Sequence, residues 1–139
     1  MTPDLFDVPV APAPVGGSLD YSRELCHVLA EAITRSGKSR YALAALMSEL
    51  AGHDITKSML DAWTAESKEP WRFPFEFAAA FEVACGCTSL QELLGRKRGS
   101  RILVGEDALH AELGRLDIDE QRIKERRAAL KVRLSRGKK

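Results

Sequence analysis

Nine residues near the middle of the chain, ITKSMLDAW from Ile55 to Trp63, constrain its fold more than any other stretch. Ile55 is apolar, Thr56 is a residue type that caps helix starts, and Leu60 and Trp63 fall one turn apart. The spacing predicts a short helix that buries Leu60 and Trp63. Lys57, Ser58, Asp61, Ala62 and Thr64 are then left on its outer faces. An aromatic at helical spacing from a leucine belongs to a core, and Trp63 is expected there.

The flanking sequence carries the same helical period. A first helix is expected over residues 19–36, capped by Ser18 or Asp20, striped by Leu25, Val28, Leu29 and Ile33, and stopped by Gly37. Ser39 is placed to cap a second, in which Tyr41, Leu43, Leu46, Met47 and Leu50 face inward. Residues 51–54 make the turn into the ITKSMLDAW helix, which Glu69-Pro70 ends, since a residue before proline is pushed out of the α region. Trp71, Phe73 and Phe75 form a short extended stretch. Pro74 then starts a fourth helix with a stripe of Phe77, Ala80, Phe81 and Ala84, closed by Gly86. Ser89 is expected to cap a fifth helix bearing Leu90, Leu93 and Leu94, closed by Gly95. Valine and isoleucine are sparse and no stretch alternates apolar with polar, so the chain reads as all-α. Aromatic residues gather between Tyr41 and Phe81, which locates the core.

Beyond this segment the organisation changes. Residues 1–17 hold four prolines and a Gly-Gly pair without periodicity and read as a flexible tail, with Leu5-Phe6 as a short apolar pair for docking. Residues 18–95 form the helical domain, residues 96–104 a basic linker, and residues 105–139 one long amphipathic helix. In that last helix Leu109, Leu116, Ile123 and Leu130 recur every seven residues. Leu113 and Leu134 occupy the complementary seam position, with Glu120 and Arg127 at its inner repeats. The pattern fits a dimeric coiled coil, and an amphipathic helix folded back on its own domain is the competing reading.

Net charge is only +1, but it is unevenly placed. Between residues 102 and 120 six acids face one base, Arg115, and between residues 121 and 139 nine bases face only Glu125. A second basic cluster comprises Arg96, Lys97, Arg98 and Arg101. Local blocks of this kind are the footprint expected for nucleic acid. Three cysteines, Cys26, Cys85 and Cys87, argue against a disulfide framework and for a reducing cytoplasm. No apolar run nears the ~20 residues a membrane span needs, and the N-terminus lacks the basic start of a signal peptide. Cys85 and Cys87 lack the paired spacing of zinc modules, and His27, His53 and His110 are scattered, so no metal is expected. No phosphate-cradling glycine loop, nucleophile elbow or His/carboxylate pair points to an enzyme or a cofactor.

With these residues set out, residues 19–94 resemble the Cro and phage-repressor type of helix-turn-helix domain, a five-helix, lambda-repressor-like DNA-binding fold. ITKSMLDAW resembles that family's recognition helix, with Ile55 and Leu60 at apolar anchors and Trp63 at its characteristic aromatic. PFEFAAAFEVACGCTSLQELL resembles its closing helices. The chain is also similar to small early-region proteins of transposable, Mu-like phages. It departs from the family in a longer turn before the recognition helix and in that helix's lack of Arg, Gln and Asn, the usual readers of base edges.

The resemblance implies a non-enzymatic homodimer on double-stranded DNA, associated with the nucleoid, whose residue 56–66 helix enters the major groove. Thr56, Lys57, Ser58, Asp61 and Thr64 would face bases. Lys38, Arg40, Lys68 and Arg72 would meet phosphates. Arg96, Lys97, Arg98, Arg101 and the basic end of the last helix would add attraction. Leu109, Leu113, Leu116, Ile123, Leu130 and Leu134 would join the dimer. The alternative implication is an adaptor that uses the same helices to bind a host protein.

Overall fold

A computed structural model describes residues 10–67 and 72–138. Among these the fold is all-α, without a strand, and it divides into two compact units between Ile102 and Leu103. The first unit contains α1 (Ser22–Ser36), α2 (Arg40–Ala51), α3 (Lys57–Thr64), a 3₁₀ turn (Phe75–Phe77), α4 (Ala78–Cys85) and α5 (Ser89–Arg98). The second is a single helix, α6 (Glu106–Arg136). The Leu5-Phe6 pair, Lys68, Glu69-Pro70 and Trp71 lie outside the described residues.

Local chemistry sets most boundaries. The Ser39 hydroxyl accepts the Ala42 N–H at 3.1 Å and the Thr56 hydroxyl accepts the Met59 N–H at 3.2 Å, so α2 and α3 start where those side chains replace a missing turn. Gly37, Gly52 and Gly86 end α1, α2 and α4 in the left-handed region (φ 68, 68 and 70°) that side chains with a Cβ avoid. The first helix begins at Ser22 rather than Leu19. Asp20 acts just ahead of it, its carboxylate accepting the Ser22 N–H and hydroxyl at 3.2 and 2.8 Å.

In the core, α4 packs on α2, α5 on α1, and α3 against both α1 and α2. Leu29, Leu43, Met47, Leu60 and Phe81 are almost wholly enclosed. Trp63 meets Phe73 edge-on with centroids 5.2 Å apart and lies 5.9 Å from Phe77; Phe73 in turn meets Phe81 at 5.7 Å. These rings join α3 to the segment that launches α4.

Several expectations are corrected. On α2 the buried face is Leu43, Ala44 and Met47, while Tyr41 is 71% and Leu50 53% exposed, with Leu46 near the exposed limit. The face that α2 turns to α3 and α4 is the one bearing Leu43, Ala44 and Met47. Ala62 is buried, since α3 is covered on two sides, by α1 and by α2. Ala80 is only half-buried. The helix α3 stops at Thr64 rather than Glu66: the Thr64 hydroxyl lies 3.0 Å from the Leu60 carbonyl, and Ala65 is extended.

Ser89 is the first residue of α5, not its cap. The cap comes from the preceding helix. Buried Glu82 accepts the Leu90 and Gln91 N–H groups at 3.0 and 3.2 Å and the Gln91 side-chain amide at 2.6 Å. A carboxylate there also meets the positive end of the α5 dipole. Nor does Gly95 close α5, which runs on to Arg98 and is capped by left-handed Gly99. Gly95 instead admits the Ser100 carbonyl, which would stand 2.7 Å from any Cβ at that position. Arg96, Lys97 and Arg98 therefore belong to a helix end, not to a linker.

Trp63→Ala removes the hub of the ring cluster, and truncating a core aromatic costs ~3–5 kcal/mol. Chemical denaturation should show a loss of that size; a variant that melts like its parent would place the indole outside the core. Glu82→Ala leaves buried N–H groups unmet at the start of α5, a loss of ~1–3 kcal/mol by the same measurement.

Candidate functional site

The connection from α2 to α3, residues 52–56, is fixed by one side chain. The Ser48 oxygen accepts the Ile55 N–H at 2.8 Å and lies within donating distance of the Ala44 and Ile55 carbonyls, at 2.8 and 3.0 Å. Ile55 itself is buried, so the turn is held by a hydrogen bond and an apolar anchor together. This turn is longer than a tight helix-turn-helix connection, yet it is locked.

A charged cluster ties the start of α2 to α3. Arg40 Nη1, at the start of α2, donates to Asp61 Oδ1 at 2.8 Å and to the Thr64 hydroxyl at 2.9 Å. Lys57 Nζ donates to Asp61 Oδ2 at 2.7 Å, one turn along α3. Both carboxylate oxygens are thereby occupied by cations. The hydrogen bond from Lys57, followed by its charge and the Arg40 contact, holds the Asp61 carboxyl below its ordinary value. The same bond raises Lys57 above its own. Lys57 also stands 5.7 Å from the Tyr41 ring centroid, a cation over an exposed aromatic face. Between the two helices lies a shallow cleft of about 590 Å³ lined by Tyr41, Ala45, Ser48, Ile55, Lys57 and Ser58.

The sequence-predicted contact residues are thus sorted by what they already hold. Thr56 caps α3, Ser58 is exposed on its first turn, and Asp61, Thr64, Lys57 and Arg40 form one internal network. Lys38 reaches across to donate to the Ala84 carbonyl at 2.8 Å, near the C-terminal end of α4, where a cation is favoured. Arg72 is exposed and engaged; its charge adds slightly to the hydrogen bonds from Ser22 that hold the Asp20 carboxyl below its ordinary value. Lys97 pairs with Glu24 of α1 at 2.6 Å, whereas Arg96, Arg98 and Arg101 are exposed. Glu66 is met from α1 by His27 and Arg23. Sequence reasoning missed Ser48 and Glu82. Neither has a local signal, because each reads as an ordinary helix residue until its distant backbone partner is folded beside it.

On α6 the seam side chains Leu109, Leu113, Leu116, Ile123, Leu130 and Leu134 are all at least half exposed. Arg115 bridges Glu112 and Asp119, and Lys124 meets Glu120 at 3.5 Å, all within the one helix. Among the described residues no group of three His, Cys, Asp or Glu side chains gathers to hold a metal. Burial pushes the Cys85 thiol up to about 11, so it is a protonated core group at neutral pH. Among the described residues no helix is long and apolar enough to cross a membrane.

Because Asp61 is held below its ordinary value, its contribution is complete above the unfolded-state value and is lost as pH falls through the lowered folded value. A carboxyl-detected NMR titration should place the Asp61 midpoint below that of an unstructured aspartate. In Lys57→Ala the midpoint should move back up, and an unmoved midpoint would mean that the ion pair does not form in solution.

No protein-family model matches the chain, and no curated protein or solved structure matches it either. The reading of the site therefore rests on its own residues.

Proposed function

We propose that the chain is a small DNA-binding protein of the Cro and phage-repressor type, a transcriptional regulator or accessory DNA-binding factor of the phage kind. It acts as a dimer in the bacterial cytoplasm, at the nucleoid, without enzymatic activity. The observation that carries this reading is the α2–turn–α3 unit, fixed by Ser48 and by the Arg40–Asp61–Lys57 network, with Thr56 and Ser58 exposed at the start of α3. A helix presented rigidly, with short polar side chains at its N-terminal turn, suits the major groove, where such residues contact base edges.

Arg40, Lys57 and Asp61 satisfy one another, so none of them is a first-choice contact to phosphate or base. In this reading Ser58 and the cap Thr56 are left for the groove. Arg96, Arg98 and Arg101, exposed at and beyond the end of α5, supply phosphate attraction. This arrangement favours positioning over base discrimination, because few groups suited to bidentate readout are offered.

A second reading, an adaptor for a host protein, is favoured by one observation: Leu46 and Leu50 leave apolar surface on the outer side of α2. A gel-shift titration on random duplex across a salt series separates the two. DNA binding should weaken steadily with salt, and each phosphate contact removed by Arg96→Ala, Arg98→Ala or Arg101→Ala should lower the log–log slope by ~0.9. Absence of any shift at ~50 mM salt would overturn the DNA reading in favour of the adaptor.

A further inference from the structure

The distribution of charge along α6 specifies more than that it pairs. A coiled coil buries two alternating seam positions, and the residues flanking the seam meet across it. In α6 one seam position is Leu109, Leu116, Ile123 and Leu130; the other contains Leu113, Glu120, Arg127 and Leu134. The flanking residues are His110, Glu112, Asp117 and Asp119 in the N-terminal half and Lys124, Arg126, Lys131 and Arg133 in the C-terminal half, so that apart from His110 acids are followed by bases. The helix is unbroken from Glu106 to Arg136, so all of them keep their phase.

In a parallel pair each seam residue meets its own copy. Glu120 then faces the partner's Glu120, and Arg127 faces the partner's Arg127, inside the seam. Two of the three flanking contacts are also between like charges: Glu112 against the partner's Asp117, and Arg126 against the partner's Lys131. Only Asp119 against the partner's Lys124 attracts.

Antiparallel pairing removes these like-charge contacts. The register that covers the whole seam sets Leu109 against the partner's Leu134 and Leu113 against the partner's Leu130. It also sets Leu116 against the partner's Arg127 and Glu120 against the partner's Ile123. The two polar seam residues then lie one layer apart on opposite helices and carry opposite charge. Flanking them, Glu112 meets the partner's Arg133, Asp119 meets the partner's Arg126, Asp117 meets the partner's Lys124, and His110 meets the partner's Lys131. Shifting the register by one heptad either way brings Asp119 or Arg126 against its own copy. Of these registers only the first sets no carboxylate against a carboxylate and no lysine or arginine against another.

We infer that two copies of this chain associate through α6 as an antiparallel coiled coil, its register fixed by the pairing of each acidic half with the partner's basic half. The inference deepens the dimer of the preceding reading and rests on it. It has a consequence for that reading: Lys124, Arg126 and Arg133 are spent on the partner's acids. Phosphate attraction then rests on the end of α5 and on the α6 bases outside those pairs, Arg122, Lys131 and Arg136. The two Glu106 ends also emerge ~45 Å apart, at 1.5 Å per residue, instead of side by side.

Pulsed dipolar spectroscopy on the full chain tests the orientation. In a background of Cys26→Ser, Cys85→Ala and Cys87→Ala, a nitroxide is placed on Ser135→Cys, with light scattering to establish the dimer. Antiparallel pairing puts the two labels ~40 Å apart along the axis. Parallel pairing puts them side by side across helices spaced ~8–10 Å, and that result would overturn the proposal while leaving the dimer standing. A monomer at all concentrations would overturn both, and DNA binding by that monomer would still be read from the gel shift.

Charge reversal gives an independent arm on unlabelled chain. Glu120→Arg alone, or Arg127→Glu alone, should raise the dissociation constant roughly tenfold, and the double variant should restore it, about 1.4 kcal/mol lost and regained. In a parallel seam every one of these chains keeps like charges facing. Single variants that dimerise as the parent does would therefore overturn the antiparallel register.

Discussion

The packing of one indole governs the first unit. An eight-residue helix cannot sustain itself in water, where nucleation is costly and isolated helices below ~12 residues are marginal. The helix α3 exists because Trp63 and Leu60 are drawn into a core built by other elements. Phe73 and Phe77, which meet the indole, belong to the segment that leads into α4, and α4 in turn packs on α2. The ring cluster thus closes a loop of dependence. It fixes where α3 lies, which decides where Ser48 and Arg40 find their partners, and hence which face of α3 reaches solvent.

Electrostatics then acts on a frame that packing has already set. Arg40, Lys57 and Asp61 sit at the surface, where single ion pairs contribute ~0–1 kcal/mol, so their effect on stability is small. Their effect on geometry is larger. Two cations on one carboxylate, with Thr64 as a further acceptor, leave few rotamers open, and they tie the start of α2 to the middle of α3. An acid on the outer face of a helix looks unsuited to meeting DNA. Bound in this way, Asp61 presents little net negative charge outward and serves to aim its neighbours.

How much of this was legible in the sequence depends on the range of the interaction. Caps made by a residue three positions away, Ser39 and Thr56, and stops made by a glycine, Gly37, Gly52 and Gly86, are local and were readable. So was the burial of Leu60 and Trp63, since two turns of pattern define the inward face. What failed was set by neighbours far along the chain. Tyr41, Leu46 and Leu50 fit an apolar stripe, but Leu46 and Leu50 stay exposed and Tyr41 lies at the open cleft beside Lys57. Ala62 looks outward until a second helix covers it. Glu82 reads as a solvated acid, whereas the fold turns it into the cap of α5. Gly95 reads as a stop, yet it is an opening for the Ser100 carbonyl. For the candidate site the residue types were readable, but their commitments to Asp61, Thr64 and Ala84 were not.

The long helix presents the opposite situation, in which sequence alone carries nearly all the information. A single exposed helix makes only contacts between residues three or four apart, as Arg115 does with Glu112 and Asp119. Such pairs stabilise a helix by ~0.2–0.5 kcal/mol each and are indifferent to what lies seven or more residues away. They do not require acids to be confined to one half and bases to the other. Between its ends, interspersed charges would support the lone helix equally well, since the helix dipole favours acids only in the first turn, Glu106 and Asp107, and bases only in the last, Arg133 and Arg136. A contact between residues far apart along the helix but adjacent across a seam does require segregation, together with the opposite signs of Glu120 and Arg127 at equivalent seam positions. The segregation between the two ends of α6 is what the proposed antiparallel pair would use.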